Sequence, residues 1–289
     1  MERLIDLHTH SNKSDGSMTP REVVRHAAEC GLAAIALSDH DSVDGVKEAM
    51  DEGKKVGVEV VPAIEFSVQS ETETHILGYY LDVDHPALAK AMEQVVAIRR
   101  VRNEKTCAAL NKLGFDVTID EALAIAPSGM IGRAHFARIL MDKGYTSSVK
   151  EGFEKYMSVG KPAYCEVQCM TAKGAIELIH ECGGLSYVAH LHLIKLDDER
   201  LEERLKEFIG YGLNGVEGYY TDYTPEMQAR YQAMAKRLGL GISGGTDFHA
   251  KMKPHISIGR GLGNMAIPYS VLDGIKELRR KVFEENETI

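Results

Sequence analysis

The chain has 289 residues, 44% hydrophobic and 27% charged, enough for one large domain with a well-buried core, alone or with an insertion. Its formal net charge of −9 gives no global attraction to nucleic acid or anionic membrane, so an anionic substrate needs a local basic patch or metal ions. Five cysteines, an odd number without framework spacing, fit a reducing compartment; the start reads as no signal peptide and no apolar run approaches a membrane span, so the cytoplasm is the expected location.

The first predicted element is a buried strand around Leu4, Ile5 and Leu7 that delivers His8 and His10. Side chains on a strand repeat every two residues, so the two imidazoles point the same way and form half of a metal site, or pack in a core. A polar loop comes next, Ser11 to Gly16. Thr19, Pro20 and Glu22 then open a helix with a capping box, and Gly31 stops it. A second buried strand, Ala33 to Ser38, runs into Asp39-His40-Asp41. A helix is expected over about Asp44 to Lys55. The third strand, Glu59 to Ile64, ends at Glu65, and the fourth, Thr74 to Tyr80, carries His75 near its start.

The alternation then stops. From about Pro86 to Lys155 the pattern is helical: one long helix over Ala87 to Leu113, a second capped at Thr118, and two more over Ile131 to Lys143 and Ser148 to Met157. We divide the chain into a first barrel part, 1–95, a helical insertion or substrate lid, 96–163, and a second barrel part, 164–289. Cys165 and Cys169 flank three residues, but no second Cys or His pair completes a zinc cage, so both read as structural. After the insertion, strands are expected at Leu185 to Ala189, Asn214 to Gly218 and Gly241 to Thr246, each followed by a helix. The total is seven strands, each followed by a helix, which argues a parallel α/β sheet.

His8, His10, His40, Glu65, His75, His190, Asp247 and His249 fall at or near strand ends, with Asp15 in the loop after the first. In parallel barrels that end carries the active site. Six of the twelve histidines belong to this set, whereas His26, His85, His180 and His255 fall elsewhere. Nine such ligands exceed the need of one ion and imply two or three metals with a bridging carboxylate; mixed nitrogen and oxygen donors suit Mn, Fe or Zn. Metals a few ångströms apart suit displacement at phosphorus.

His8-x-His10, Ser38-Asp39-His40-Asp41, Glu65, His75, Ala189-His190 and Thr246-Asp247-x-His249, in this order, resemble the PHP (polymerase and histidinol phosphatase) family. The resemblance implies a distorted (β/α)7 barrel and a trinuclear centre. By position, the first metal takes His8, His10, Glu65 and Asp247, the second Glu65, His75 and His190, and the third Asp15, His40 and His249. A metal-bridging hydroxide held by Glu65, Asp247 and His190 is the implied nucleophile. Gly132 to Arg138 and Gly160 to Tyr164 resemble the branch with 3',5'-nucleoside bisphosphate phosphatases and 5'-to-3' exoribonucleases. The family commonly reads Ala-His-Pro after the fifth strand, often with an Arg close behind. Here Leu191-His192-Leu193-Ile194-Lys195 comes after His190, and His192 or Lys195 is the replacement.

The insertion supplies positive charge. Arg99 and Arg102, three apart, share a helix face; Arg133, His135 and Lys161 join them as candidate substrate-binding residues, with His192 from the barrel. The expected activity is metal-dependent phosphoesterase action, by manganese first, on a small nucleotide such as a 3',5'-bisphosphate or on short oligonucleotide ends, not on long nucleic acid or at a membrane. A histidinol-phosphate-type phosphatase, a C–N amidohydrolase and a noncatalytic metal-stabilised scaffold are the alternatives.

Overall fold

A computed structural model of the protein describes residues 3–126, 130–165 and 170–283. The first part contains β1 (Leu4–Thr9), α1 (Pro20–Glu29), β2 (Leu32–Leu37), α2 (Val46–Val56), β3 (Glu59–Gln69) and β4 (His75–Tyr79). The helical stretch contains α3 (Pro86–Lys112), α4 (Ile119–Ile125), α5 (Arg133–Asp142) and α6 (Val149–Gly152), the last continuing as a π-helical turn, Phe153–Met157. The chain ends through β5 (Met170–Thr171), α7 (Ala172–Glu181), β6 (Leu185–Val188), α8 (Asp198–Ile209), β7 (Gly215–Tyr220), α9 (Pro225–Leu238), β8 (Gly241–Gly245), β9 (Ile267–Pro268) and α10 (Ser270–Phe283). The expected capping boxes are present: Thr19 with Glu22 opens α1, and Thr118 with Glu121 opens α4. Among the described residues no helix is long and apolar enough to cross a membrane.

The seven expected strands are all present, and the sheet runs β8-β7-β6-β4-β3-β2-β1-β9, with β5 paired to β3. One expectation is corrected. β4 is antiparallel to both β3 and β6, and no helix stands between β3 and β4. Only residues 70–74 join them, and a parallel return needs a crossover of about a dozen residues or more. The reversal has a functional consequence. The start of β4 lies at the same end of the sheet as the finishes of its neighbours, so His75 reaches the site from a strand start.

The sheet curls until β8 meets β1. Gly245 makes the approach possible: a Cβ there would stand 2.3 Å from the backbone nitrogen of His8. The Asp247 N–H donates to the carbonyl of His8 at 2.9 Å, and the His10 N–H to that of Phe248 at 2.9 Å. Buried Asp6 completes the seam, accepting from the Thr246 N–H at 2.9 Å, the Thr246 hydroxyl at 2.5 Å and the Gly259 N–H at 2.8 Å. The result is a nearly closed, distorted α/β barrel.

Ile5, Leu7, Ala34, Ala36, Val61, Ala63, Leu77, Tyr79, Leu185 and Tyr187 pack into one cluster, joined by Leu272 and Ile275 of α10. On β3 the alternation carries Val61, Ala63 and then Glu65 to this face; on β4 it carries Tyr79, Leu77 and then His75. The polar site therefore stands directly on an apolar floor. A separate cluster of Leu110, Val117, Ile131, Phe136, Leu140 and Met157 holds the helical stretch together. Helix α3 joins two apolar clusters, since Leu88 packs with the barrel helices and Leu110 with the helical stretch.

Candidate metal centre

Glu65 is the hub. Its Oε2 lies 3.2 Å from His8 Nε2, 3.3 Å from His10 Nε2 and 3.0 Å from His40 Nδ1. Its Oε1 lies 2.9 Å from His75 Nδ1 and 3.0 Å from His190 Nε2. Five imidazoles from four places in the chain thus face one carboxylate. Asp247 Oδ1 stands 3.3 Å from His10 Nε2 and 3.3 Å from His249 Nδ1. Asp15 Oδ1 is 3.0 Å from His249 Nε2.

The backbone is bent to aim these groups. His190, two residues past the end of β6, has φ 26°, and Asp247, two residues past the end of β8, has φ 58°. Left-handed conformations cost non-glycine residues about 1–3 kcal/mol and concentrate at functional sites.

The donor set fits divalent ions. His8 Nε2, His10 Nε2, His40 Nδ1 and Glu65 Oε2 are buried and have no hydrogen-bond partner among the described residues. Leaving polar atoms buried and unpaired is costly. Their close approach without hydrogen-bond geometry is what lone pairs converging on a cation require. Three overlapping groups have ligand atoms close enough to hold an ion: His10, Asp15, His40 and His249; His8, His10 and Glu65; His40, Glu65 and His75. His40 stands in two of these groups, so the geometry places it nearer Glu65 than a division with Asp15 and His249 alone implies.

Electrostatics point the same way. Burial works to raise the Glu65 carboxyl, but the imidazoles of His40, His8 and His75 outweigh it and hold it well below the usual range. Burial, reinforced by Lys253 and His10, pushes His249 down to about 4. Its Nδ1 faces the carbonyl of Asp247 at 2.8 Å, which leaves the Nε2 lone pair toward Asp15.

Behind the ligands stand residues that the sequence motifs do not single out as functional. Glu217, fully buried in β7, places Oε1 2.8 Å from His8 Nδ1 and accepts from the His190 N–H at 2.6 Å. Asp247 Oδ2 accepts from the Tyr220 hydroxyl at 2.7 Å and from Lys253 Nζ at 2.6 Å. Buried Asp39 accepts from the Ser11 N–H and the hydroxyls of Ser11 and Ser14 and so fixes the loop that carries Asp15. A lone acid inside an apolar strand is the available signal for Glu217. Lys253 lies in an irregular segment and has none.

A cavity of about 350 Å³ opens over the centre, walled by Asp15, Glu65, His75, His190, Asp247 and His249 from the barrel and by Ala134, Val149, Lys150 and Phe153 from the helical stretch. A narrower one of about 60 Å³ runs from Asp15, His40 and His75 to Arg99, Arg102 and Arg133. Arg99 is buried and bound to Asp41, with its Nη1 reaching the carbonyl of Ile131 at 3.4 Å. Arg102 also donates to that carbonyl, at 2.9 Å. Arg133 donates to the carbonyl of Met157 at 3.3 Å, and its guanidinium lies over the rings of Phe153 and Tyr164.

Three expected substrate residues are placed differently. Lys161 is exposed in a turn and lines neither cavity. His135 is turned inward, where its Nδ1 accepts from the Gly132 N–H at 2.8 Å and caps α5. His192 packs against Tyr220 and Tyr223, and it is Lys195 that borders the large cavity. For His135 and His192 a local cap or packing partner, invisible in a linear motif, captures the side chain. Of the two cysteines, Cys165 is free and half-buried, and Cys169 lies outside the described residues.

The sequence matches the PHP domain across residues 6–211. It is 34% identical over 248 residues to a 3',5'-nucleoside bisphosphate phosphatase of Chromobacterium violaceum, covering 85% of this chain and 87% of the relative. It is 32% identical over 250 residues to a 5'-3' exoribonuclease of Haemophilus influenzae, covering 86% and 91%. A solved structure from Bifidobacterium adolescentis, assigned to the metal-dependent phosphoesterases, superposes with a TM-score of 0.84 at 26% identity over 96% of each chain.

Proposed function

This chain belongs to the PHP family, and we propose that it hydrolyses a phosphate ester of a small nucleotide that carries a second phosphate, such as a 3',5'-nucleoside bisphosphate. It is a metal-dependent phosphoric ester hydrolase. The observation that carries the substrate reading is the group of Arg99, Arg102 and Arg133 beside a cavity that also reaches Asp15, His40 and His75. One substrate can thus place its reacting phosphate at the carboxylate–imidazole cluster and a second anion among the arginines. Guanidinium groups suit such bidentate contacts. The named activities of the two sequence relatives support a nucleotide.

We assign His8, His10, Asp15, His40, Glu65, His75, His190, Asp247 and His249 as holders of two to three divalent ions, manganese before zinc or iron. Glu65, with imidazoles facing both of its oxygens, would be the residue to hold two of them. Bound there, such ions polarise phosphoryl oxygens and make water a competent nucleophile near neutral pH. The protein does the rest. Glu217 orients His8 and the backbone of His190. Tyr220 and Lys253 hold the outer oxygen of Asp247 and leave Oδ1 facing the centre. Phe153 and Val149 of the helical unit 96–163, read as a lid, keep bulk water from the reacting phosphate. The lid arginines position the substrate, which contributes to kcat when that geometry is reached only on the way to the transition state. Lys195 and Lys150 at the cavity wall add attraction for an anion in a chain of net charge −9. Four free cysteines among the described residues accord with a cytoplasmic location.

The test is phosphate release from a panel of nucleoside mono- and bisphosphates and 5'-phosphorylated dinucleotides, with added Mn and with a metal-stripped control. Preference for a substrate with two phosphates supports the reading. Equal turnover of every monoester removes it.

A further inference from the structure

Glu73 is an acid placed where an anion is to bind. It lies in the turn 70–74 between β3 and β4 and lines the large cavity, the arginine cavity and a third of about 70 Å³ beside it. Its carboxylate makes no hydrogen bond among the described residues, and its closest cation is Arg133, with Oε1 3.8 Å from Nη2. That is the outer limit of an ion pair. The side chain is one-third exposed, toward the cavity. A glutamate carboxyl is ordinarily ionised near neutral pH, so a negative charge stands in the arginine cavity. Its structural contribution is slight: a partly exposed pair without a hydrogen bond is worth little. In an anion pocket its charge opposes the ligand.

We propose that Glu73 is a built-in anionic competitor for Arg133, which the second anionic group of the substrate displaces and which a lone phosphate does not displace effectively. The inference rests on reading the arginine cavity as the seat of that second group. Chemically, Glu73 makes occupation of the arginines conditional. A ligand anchored at the metal centre as well brings its second anion to Arg133 at high local concentration and wins. A product, inorganic phosphate or sulfate, anchored at one end only, meets the carboxylate and leaves. Glu73 is thus a specificity residue that sharpens discrimination and relieves product inhibition, at the expense of ground-state affinity. Coulomb repulsion between two nearby charges at the partly screened edge of a protein is sufficient for about a tenfold effect on binding.

The test compares wild type, Glu73→Gln and, as a control, Glu154→Gln, an exposed acid outside all three cavities. Three quantities are measured on Mn-loaded protein: the inhibition constant of inorganic phosphate, KM for a 3',5'-bisphosphate, and calorimetric affinity for sulfate. In Glu73→Gln the phosphate inhibition constant and sulfate dissociation constant are expected to fall about tenfold, KM to fall less, and metal content to stay unchanged. Glu154→Gln is expected to match wild type. A rise in KM with unchanged phosphate inhibition overturns the proposal, because Glu73 is then a hydrogen-bond acceptor for substrate. A loss of metal overturns it in favour of support for His75. If wild type itself does not turn over a bisphosphate, the functional reading fails, and the sulfate titration still decides whether Glu73 excludes an anion.

Discussion

Glu217 stands directly behind His8, with Oε1 2.8 Å from Nδ1 and both side chains fully buried. The hydrogen bond leaves Nε2 of His8 facing Glu65, and the other oxygen of Glu217 holds the backbone of His190. One carboxylate therefore sets two members of the centre from β7, a strand that contributes no ligand itself. Such outer partners typically contribute ten- to a hundredfold to metal affinity. Glu217→Gln keeps the shape and removes the charge. Its affinity for Mn should fall by about that factor, as read by competition with a chelating dye. Unchanged affinity would show that the bond serves packing alone.

The central position of Glu65 gives a sharper expectation. Five imidazole nitrogens lie within 2.9–3.3 Å of its two oxygens. Glu65→Ala should lose more than one ion per chain and nearly all turnover, whereas His75→Ala should empty mainly one position. Chelation of the wild-type protein should abolish activity, and Mn should restore it. Elemental analysis of the loaded variants checks this, and full occupancy in Glu65→Ala would contradict the shared position.

Much of this centre is legible in the sequence, and the reason is geometric. Strands of an α/β barrel bring the residues at and just past their finishes to one end, so His8, His40, Glu65, His190 and Asp247 group together from strand order, although β3 runs on past Glu65 to Gln69. His75 is harder to place, because its strand runs backwards and an apolar run does not show its direction. Only the short link at 70–74 carries that information, being too brief for a crossover. Residues whose position depends on side-chain packing escape altogether. Lys253 reaches Asp247 from an irregular segment, and His135 turns inward to cap its own helix. Motif spacing records which residues are present and does not record which way a loop side chain turns.

Closure of the barrel at Gly245 is a separate point of vulnerability. The space for a side chain there is occupied by the backbone of His8, 2.3 Å from an ideal Cβ. Overpacking of this kind typically costs about 1–3 kcal/mol, and backbone yields less readily than a flexible side chain. Gly245→Ala should lower the unfolding midpoint in urea and, by shifting His8, also weaken metal retention. A variant with unaltered midpoint and metal content would mean that β1 and β8 are not held at this distance.

The arginines separate recognition from chemistry. Arg133 lines the narrow cavity, held by the carbonyl of Met157 and by the faces of Phe153 and Tyr164, while Lys161 is exposed and borders neither main cavity. A charge-assisted hydrogen bond contributes roughly 1.5–3 kcal/mol, or about ten- to a hundredfold. Arg133→Ala should therefore reduce kcat/KM on a 3',5'-bisphosphate by about that factor. It should cost far less on p-nitrophenyl phosphate, which has no second anion to place among the arginines. If the contact is equal in ground and transition states, the loss appears in KM; if it orients the phosphoryl group, kcat falls too. Lys161→Ala should be nearly silent on both substrates, and metal content should be unchanged in both variants. Equal losses on the two substrates in Arg133→Ala would mean that the helical unit covers the site without reading a remote phosphate. A large loss in Lys161→Ala would mean that its turn folds over the cavity when substrate binds.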